Sequence, residues 1–423
     1  MVFFYLCSEI LQYMELKEGN FAIQGIDVLQ IAKEFGTPVY VYDAETIENQ
    51  FLKLKNAFGE LKVRIKYATK ALPNISILRL LKKLGAGADA VSIQEIHLNL
   101  KAGFAPNQLM FTPNCVNFSE IEEAVRLGVY INIDNLPFLE KFGKQYGNTV
   151  PCCIRINPHV AAGGNIKIQT GHKESKFGIS IEQAAEIKKI VDTYHIRING
   201  LHVHTGSDFS KPEVFLKVAE IMFQLALDYP GLDFLDFGSG FKVAYKSGDH
   251  STDLNELAKR LTSAYKAFTA KYGSQPEIWF EPGKFLVSDS GVLLVNVNVV
   301  KETPAITFAG VDSGLNHLIR PMMYGAYHDI VNVSNPKGET KNYAVVGYIC
   351  ETDTFGWDLK LNQVREGDIL AIKNAGAYGF SMSSNYNSRF RPAEILVYKG
   401  KANLIRERET FEDILRHQVE LAF

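Results

Sequence analysis

The sequence predicts an α/β protein: a (β/α)8 TIM-like barrel followed by a C-terminal all-β domain that also recruits the N-terminal segment. Three observations predict it. Eight short β-branched runs alternate with amphipathic helical stretches between residues 63 and 281, the number a (β/α)8 barrel of about 250 residues requires. After about Ser290 the texture changes to strands joined by Gly, Pro and Asn turns. The strand Val39–Tyr42 lies upstream of the barrel and is assigned to the β domain, which then uses both chain ends. The expected division is residues 1–42, an N-terminal segment joining the β domain, 43–290, the barrel, and 291–423, the β domain with a short C-terminal helix.

The barrel is preceded by a helix over Glu45–Phe58, marked by Ile47, Phe51, Leu54 and Phe58. Its strands are Val63–Lys70, Ala86–Ser92, Leu109–Thr112, Val129–Ile133, Cys152–Asn157, Ile198–His204, Phe234–Gly238 and Glu277–Glu281. Ile77, Leu80, Leu81 and Leu84 share a helix face, as do Ile121, Val125 and Leu127 with looser spacing. Ser119 with Glu122, and Ser180 with Gln183, read as capping boxes, and Asp134 sits where a strand hands over to a helix. A doubly wound sheet would use fewer strands and a Gly-rich first turn, whereas the first turn here is Thr69-Lys70-Ala71-Leu72. The β domain reads as strands Gly291–Val300, Ala305–Val311, Asp329–Val333, Tyr343–Ile349, Asp368–Asn374 and Ile395–Tyr398, then a helix at Phe411–His417.

Composition narrows the function. With 423 residues, 46% hydrophobic and 22% charged, the chain is long enough for two domains and too apolar to be mainly disordered. A net charge of −2 suggests neither a nucleic-acid groove nor a polybasic membrane anchor. No apolar run is long enough to span a bilayer. Met1 to Cys7 is apolar, but no basic region or small-residue cleavage site accompanies it, so no signal peptide is expected; Met14 is an alternative start. The five cysteines, Cys7, Cys115, Cys152, Cys153 and Cys350, are irregularly spaced and include no Cys-x-x-Cys. A disulfide framework or zinc site is not expected, and a cytoplasmic location is the default.

In such barrels the chemistry sits at the carboxyl ends of the strands. Strand one ends in Lys70, strand six in His204-Thr205-Gly206-Ser207, strand seven in Gly238-Ser239-Gly240 and strand eight in Glu281-Pro282-Gly283. Each has an ordinary reading: a solvated lysine, a packed histidine, a tight turn, a surface carboxylate. Together on one rim they have another. A desolvated lysine condenses with a carbonyl, and paired glycine turns let backbone N–H groups approach a phosphate. An imidazole stacks on a flat ring, and a carboxylate keeps a pyridine nitrogen protonated as an electron sink. These are the parts of a pyridoxal phosphate site. His202 and His204 also offer a metal pair, but strands one and eight supply no further histidine, which demotes a metal hydrolase.

Nine ordered strings carry a resemblance to the diaminopimelate decarboxylases, within the fold-type III pyridoxal phosphate enzymes that include alanine racemase and ornithine decarboxylase. They are YATKAL at Tyr67–Leu72, GADAVSIQE at Gly87–Glu95, TGHKESKFG at Thr170–Gly178, HVHTGS at His202–Ser207, DFGSGF at Asp236–Phe241, EPGK at Glu281–Lys284, DSGLNHLIRPMMY at Asp312–Tyr324, CETDTF at Cys350–Phe355 and AGAYGFSMSSNYNSRFRPAE at Ala375–Glu394. The resemblance implies that Lys70 carries the cofactor as a Schiff base and that His204 stacks on its ring. It implies that Ser207, Gly238, Gly240, the backbone around Gly283 and the Tyr378 hydroxyl hold the phosphate, and that Glu281 pairs with the pyridinium. Arg320 and Tyr324 would bind the substrate carboxylate, Glu351 the far amino-acid end with Tyr378 close by, and Cys350 would donate the proton that replaces carbon dioxide. Taken alone, Arg320 reads as a surface ion pair and Cys350 as a buried small apolar group. A homodimer with shared active sites is also implied, acting on a small amino acid.

The chain departs from the family pattern at Leu72, where Asn is usual, at Ser239, which interrupts a triple glycine, at Thr352 for serine, and at Lys284 for an arginine that ordinarily touches substrate. Lysine keeps the charge and loses the bidentate fork. The expected reaction is decarboxylation of meso-2,6-diaminopimelate to L-lysine. The alternatives are decarboxylation of ornithine, arginine or carboxynorspermidine, a metal-dependent hydrolase, and a non-catalytic cofactor-binding protein. The Cys350-Glu351 pair favours diaminopimelate, since ornithine enzymes usually place Asp after the cysteine.

Overall fold

A computed structural model describes residues 14–17, 19–160, 170–209, 212–246 and 248–423. The start of the N-terminal segment, including Cys7, lies outside the described residues. The chain divides into two compact units. One comprises Ile47–Ser288, and the other the described residues up to Thr46 together with Asp289–Phe423.

The first unit is a closed barrel. Strand β1 (Val39–Asp43) belongs to the other unit. The barrel strands are β2 (Val63–Ala68), β3 (Gly87–Ala90), β4 (Leu109–Phe111), β5 (Tyr130–Ile133), β6 (Cys152–Asn157), β7 (Ile198–Val203), β8 (Phe234–Asp236) and β9 (Glu277–Phe280). Each pairs in parallel with the next, and β9 closes on β2 with Phe280 opposite Ile65. Six of the eight expected strands extend past the pairing at their carboxyl ends. Lys70, His204, Gly238 and Glu281 fall just beyond it, because the chain turns inward there: Thr69–Ala71 is a single 3-10 turn and Gly238 has φ +59°.

Two helix starts also differ from expectation. Asn117, extended at φ −74°, caps Phe118–Arg126 by accepting the Ser119 N–H at 3.1 Å, so Ser119 is already inside the helix. Ser180 caps only a 3-10 turn through the Glu182 N–H, and the helix proper begins at Ala184. Asp134 lies at the strand-to-helix hand-over as expected, and Asn135 caps Leu136–Tyr146 by accepting the Phe138 N–H at 2.9 Å.

At one level of the barrel the strands contribute Met110, Cys153, Phe234 and Trp279, with Tyr130 against them. Phe234 stacks on Trp279 at 3.6 Å between centroids. Gly200 leaves room for this stack, since a Cβ there would lie 2.3 Å from the Phe234 ring. Lys66 is fully buried beside it, its Nζ 4.1 Å from the Trp279 centroid and 3.1 Å from the Gln108 carbonyl.

The second unit is a sheet in which β1 lies at the centre. It pairs antiparallel with β10 (Gly291–Glu302) and parallel with β16 (Ala393–Tyr398). Around them lie β11 (Thr307–Val311), β12 (Ile330–Asn332), β13 (Thr340–Val346), β14 (Thr354–Asn362), β15 (Ile369–Ile372) and β17 (Lys401–Arg406). Val39 and Val41 share a core with Val292, Leu294, Ile395 and Val397. Both chain ends thus build this unit. Strands β14 and β17 are not expected from the sequence: β17 is mostly exposed, and β14, despite alternating Phe355, Trp357, Leu359 and Leu361, is exposed through its middle and carries left-handed Asp358. No helix among the described residues is long and apolar enough to cross a membrane.

Lys66 yields a prediction. Burial lowers its amine to about 7 in the fold, against an unfolded value near 10.4. The unfolded chain therefore binds this proton more readily, and stability attributable to Lys66 rises with pH from about 7 to 10. Below that window the penalty is at full size. Lys66→Met should stabilise the protein at about pH 7 by on the order of a few kcal/mol in urea unfolding, with the gain shrinking by about pH 9.5. An equal gain at both pH values would contradict this account.

Candidate active site

Because all eight strands run the same way, residues just past their carboxyl ends share one rim. Glu281 follows β9 directly and is buried; its Oε2 accepts a hydrogen bond from His202 Nε2 at 3.0 Å. Its Oε1 and the Asp236 Oδ2 are buried with no hydrogen-bond partner among the described residues. His202, Asp236 and Glu281 lie close enough that their polar atoms fall within 4.8 Å of one another. Two are carboxyls that cannot both ionise there. Burial alone would raise Glu281, but the His202 imidazole and its hydrogen bond, with Lys70 and His204, hold it down at about 2. Burial and then the Glu281 charge raise Asp236 well above the carboxylate range. Burial lowers His202 as well, so a neutral imidazole donates Nε2–H to an ionised Glu281. His202 gives its Nε2 to Glu281, and His204 turns to another partner, so the two histidines do not share one contact.

His204 lies one residue past β7. Burial, then the charges of Arg155 and Lys70, lower it to about 3. Its Nδ1 accepts the Ser239 N–H at 3.3 Å, which leaves the proton on Nε2. The glycine turn packs directly against this ring. A Cβ on Gly238 would lie 2.7 Å from His204 Nδ1, and one on Gly240 (φ +137°) 2.4 Å from the Gly206 carbonyl. The Gly238 N–H is already given to Asp236 Oδ1 at 2.8 Å.

Lys70 Nζ lies 3.6 Å from Asp89 Oδ2, with the lysine partly exposed and the aspartate buried. Burial and the Glu281 charge push the Asp89 carboxyl up to about 7. Lys284, just after Gly283, gives its ammonium to the Asp208 carboxylate. The buried Arg155 guanidinium stacks 4.8 Å from the Phe177 centroid.

The second unit carries the remaining expected residues. Arg320 is buried and opens the short helix Arg320–Tyr324. Cys350 and Glu351 are exposed in the turn between β13 and β14. Tyr378 is half-buried with left-handed backbone at φ +57°. Sequence reasoning missed Asp89, Asp208, Asp236 and Arg155 on the rim. Asp89 and Asp236 stand inside strings it quoted, at the ends of β3 and β8, and that position was the available signal.

Residues 44–288 match the family model of the pyridoxal-dependent decarboxylases, pyridoxal-binding domain. The diaminopimelate decarboxylase of Methanothermobacter thermautotrophicus is 40% identical over 411 residues, covering 95% of this chain and 96% of its own. This chain belongs to the diaminopimelate decarboxylase family. The crystal structure of the M. jannaschii diaminopimelate decarboxylase superposes with a TM-score of 0.89 at 32% identity, covering 97% of this chain and 98% of that one. That of the Helicobacter pylori enzyme, complexed with L-lysine, gives 0.85 at 34% identity, covering 92% and 98%.

Family members are carboxy-lyases whose cofactor is pyridoxal phosphate, and the rim fits that cofactor. It offers a lysine amine at Lys70, a flat neutral ring at His204 and a turn kept open by Gly238 and Gly240. Glu281 Oε1 is a buried, unmatched acceptor suited to a pyridinium N–H. Gly240→Ala would set a methyl against Gly206 and Phe209 and strain a left-handed backbone. We expect titration of cofactor-depleted Gly240→Ala with pyridoxal phosphate to give an affinity at least about tenfold weaker. Unchanged affinity would remove this turn from the cradle.

Proposed function

We infer that the chain catalyses decarboxylation of meso-2,6-diaminopimelate to L-lysine and carbon dioxide, the last step of lysine biosynthesis. The observation that carries this reading is the buried His202–Glu281 pair on the same rim as Lys70 and the glycine turn. When bound, pyridoxal phosphate supplies a protonated ring that takes up the electron pair left by the departing carboxylate.

The chain's own residues do the rest. Glu281, kept ionised by His202, would accept the N–H of the cofactor's ring nitrogen. His204 presents a neutral face to the ring, its orientation fixed by the Ser239 N–H. With the Gly238 amide committed to Asp236, the cradle draws its donors from Ser207, Gly240, the backbone at Gly283 and the Tyr378 hydroxyl. Gly238 contributes its conformation. Lys70 would hold the cofactor through its amine. Asp89, poised near neutrality at 3.6 Å, can take up or return a proton at Lys70 Nζ.

Arg320 and Tyr324 bind the substrate carboxylate, with Lys284 as a second cation held in place by Asp208. Glu351 reads the far amino-acid end, together with Tyr378. Cys350 delivers the proton to the carbon that has lost carbon dioxide; an ordinary thiol is mostly protonated at neutral pH and so serves as an acid. Residues 43–290 form the cofactor-binding domain, and 1–42 with 291–423 the β domain. A homodimer in the cytoplasm, with each β domain serving its partner's site, completes the reading.

The test is carbon dioxide release from meso-, LL- and DD-diaminopimelate, lysine, ornithine, arginine and carboxynorspermidine, with and without added pyridoxal phosphate. Cofactor-dependent release from the meso isomer alone is expected. Release from another substrate would keep the chemistry and overturn the specificity. Lys70→Ala should lower turnover by about a thousandfold or more, and Cys350→Ala by about a hundredfold. Near-wild-type turnover in Cys350→Ala would remove the thiol from the mechanism.

A further inference from the structure

Cys350 and Glu351 are held from two sides. On one side is Asp353, buried beneath their turn. Its Oδ1 accepts the Leu315 N–H at 2.8 Å, its Oδ2 the Ile349 N–H at 3.1 Å, and its backbone carbonyl the Gly347 N–H at 2.8 Å. A Cβ at Gly314 or Gly347 would lie 2.2 or 2.1 Å from that carboxylate. On the other side is the segment Tyr386–Ser388. The Tyr386 hydroxyl donates to Glu351 Oε1 at 2.6 Å, and Asn387 Nδ2 donates to Cys350 Sγ at 3.2 Å. The Glu351 carboxylate raises the Tyr386 hydroxyl above its ordinary value.

The backbone here is unusual. Asn387 (φ +55°, ψ +28°) and Ser388 (φ +54°) are consecutive non-glycine residues in the left-handed region. Asparagine tolerates that region better than most residues, and serine does so poorly. Such geometry persists where surrounding contacts over-determine it. Here it aims two consecutive side chains, Tyr386 and Asn387, at two consecutive residues across the gap.

We propose that Asn387 is a positioning residue for the proton-donation step: its amide N–H fixes Cys350 Sγ and stabilises the thiolate left behind, while Tyr386 fixes Glu351 in the same clamp. This rests on the assignment of Cys350 as proton donor and Glu351 as substrate reader. In that step the S–H bond breaks and a C–H bond forms at the carbon that has lost carbon dioxide. The S–H electron pair stays on sulfur, and water later restores the thiol proton. Because Asn387 meets the sulfur with a donor, the thiol's own proton is not consumed by the contact and remains available for transfer. A hydrogen bond to the charged form of a group favours that form, which helps the proton leave.

Asn387→Gly and Asn387→Asp separate this role from a structural one. Glycine and aspartate both adopt the left-handed region, so the loop is kept, yet neither gives sulfur a donor. On the holoenzyme we expect iodoacetamide to alkylate Cys350 at least about threefold more slowly at about pH 7.5 in both variants, because alkylation follows the thiolate. The exposed Cys115, mapped in the same digest, should react unchanged. The kcat should fall about tenfold with KM within about twofold, since the lost contact acts in the transition state. Tyr386→Phe should show the opposite split, with KM raised about fivefold and kcat nearly kept. Wild-type alkylation and kcat in both Asn387 variants would overturn the proposal, as would slowed alkylation with an unchanged kcat. Near-wild-type turnover in Cys350→Ala would instead overturn the proton-donor assignment beneath it, so the two failures are distinguishable.

Discussion

The contact between His202 Nε2 and Glu281 Oε2 sets the charge state of the whole rim. Asp89, Asp236 and Glu281 are buried near one another, and each feels the others' charge. Water does not solvate three charges there, so the three carboxyls do not ionise together. The imidazole hydrogen bond selects Glu281. With that charge placed, Asp236 becomes neutral and turns its Oδ1 to the Gly238 N–H, which shapes the glycine turn. The turn in turn packs on His204 and presents the Ser239 N–H to its Nδ1. The ring orientation, the cradle and the ionised acceptor all descend from one hydrogen bond across the mouth of the barrel.

The rim was legible because barrel closure is a strong constraint. Eight parallel strands bring every carboxyl end to one side, so Lys70, His204, Gly238, Gly240 and Glu281 were assigned to one site from their position after a strand. The partners of those residues were not legible. Asp89 and Asp236 read as ordinary strand-end aspartates, and only burial shows that neither is solvated. Asp208 looked like part of a loop, while in the fold it neutralises Lys284. The replacement of arginine by lysine is therefore matched by a carboxylate that no local pattern ties to it, 76 residues away in the chain.

The β unit was less legible for a different reason. Its strands that pack on both faces, such as β1 and β10, are continuous β-branched runs and stand out. Tyr42 and Glu394 meet inside it at 2.7 Å, joining segments from opposite ends of the chain. Edge strand β17 is largely exposed, and β14, though it alternates Phe355, Trp357, Leu359 and Leu361, is exposed through its middle, so neither stands out as a buried run. The segment Tyr386–Ser388 was visible only as part of a matching string. Its role depends on left-handed backbone that composition does not specify.

Lys66 and Lys70 show how position rather than residue type assigns chemistry. They lie four residues apart on one strand and its turn. Burial first, then the Arg64 charge, bring the Lys66 amine down to about 7, well below an ordinary lysine. By that criterion it would be the better nucleophile. Yet its Nζ is spent on the Gln108 carbonyl and faced by the rings of Tyr130 and Trp279, with no side open to a carbonyl compound. Lys70 is partly exposed at the rim, beside a carboxyl that exchanges protons near neutrality. A reactive amine needs access and a proton partner as much as a low proton affinity. The barrel gives access and a proton partner to Lys70 and withholds both from Lys66.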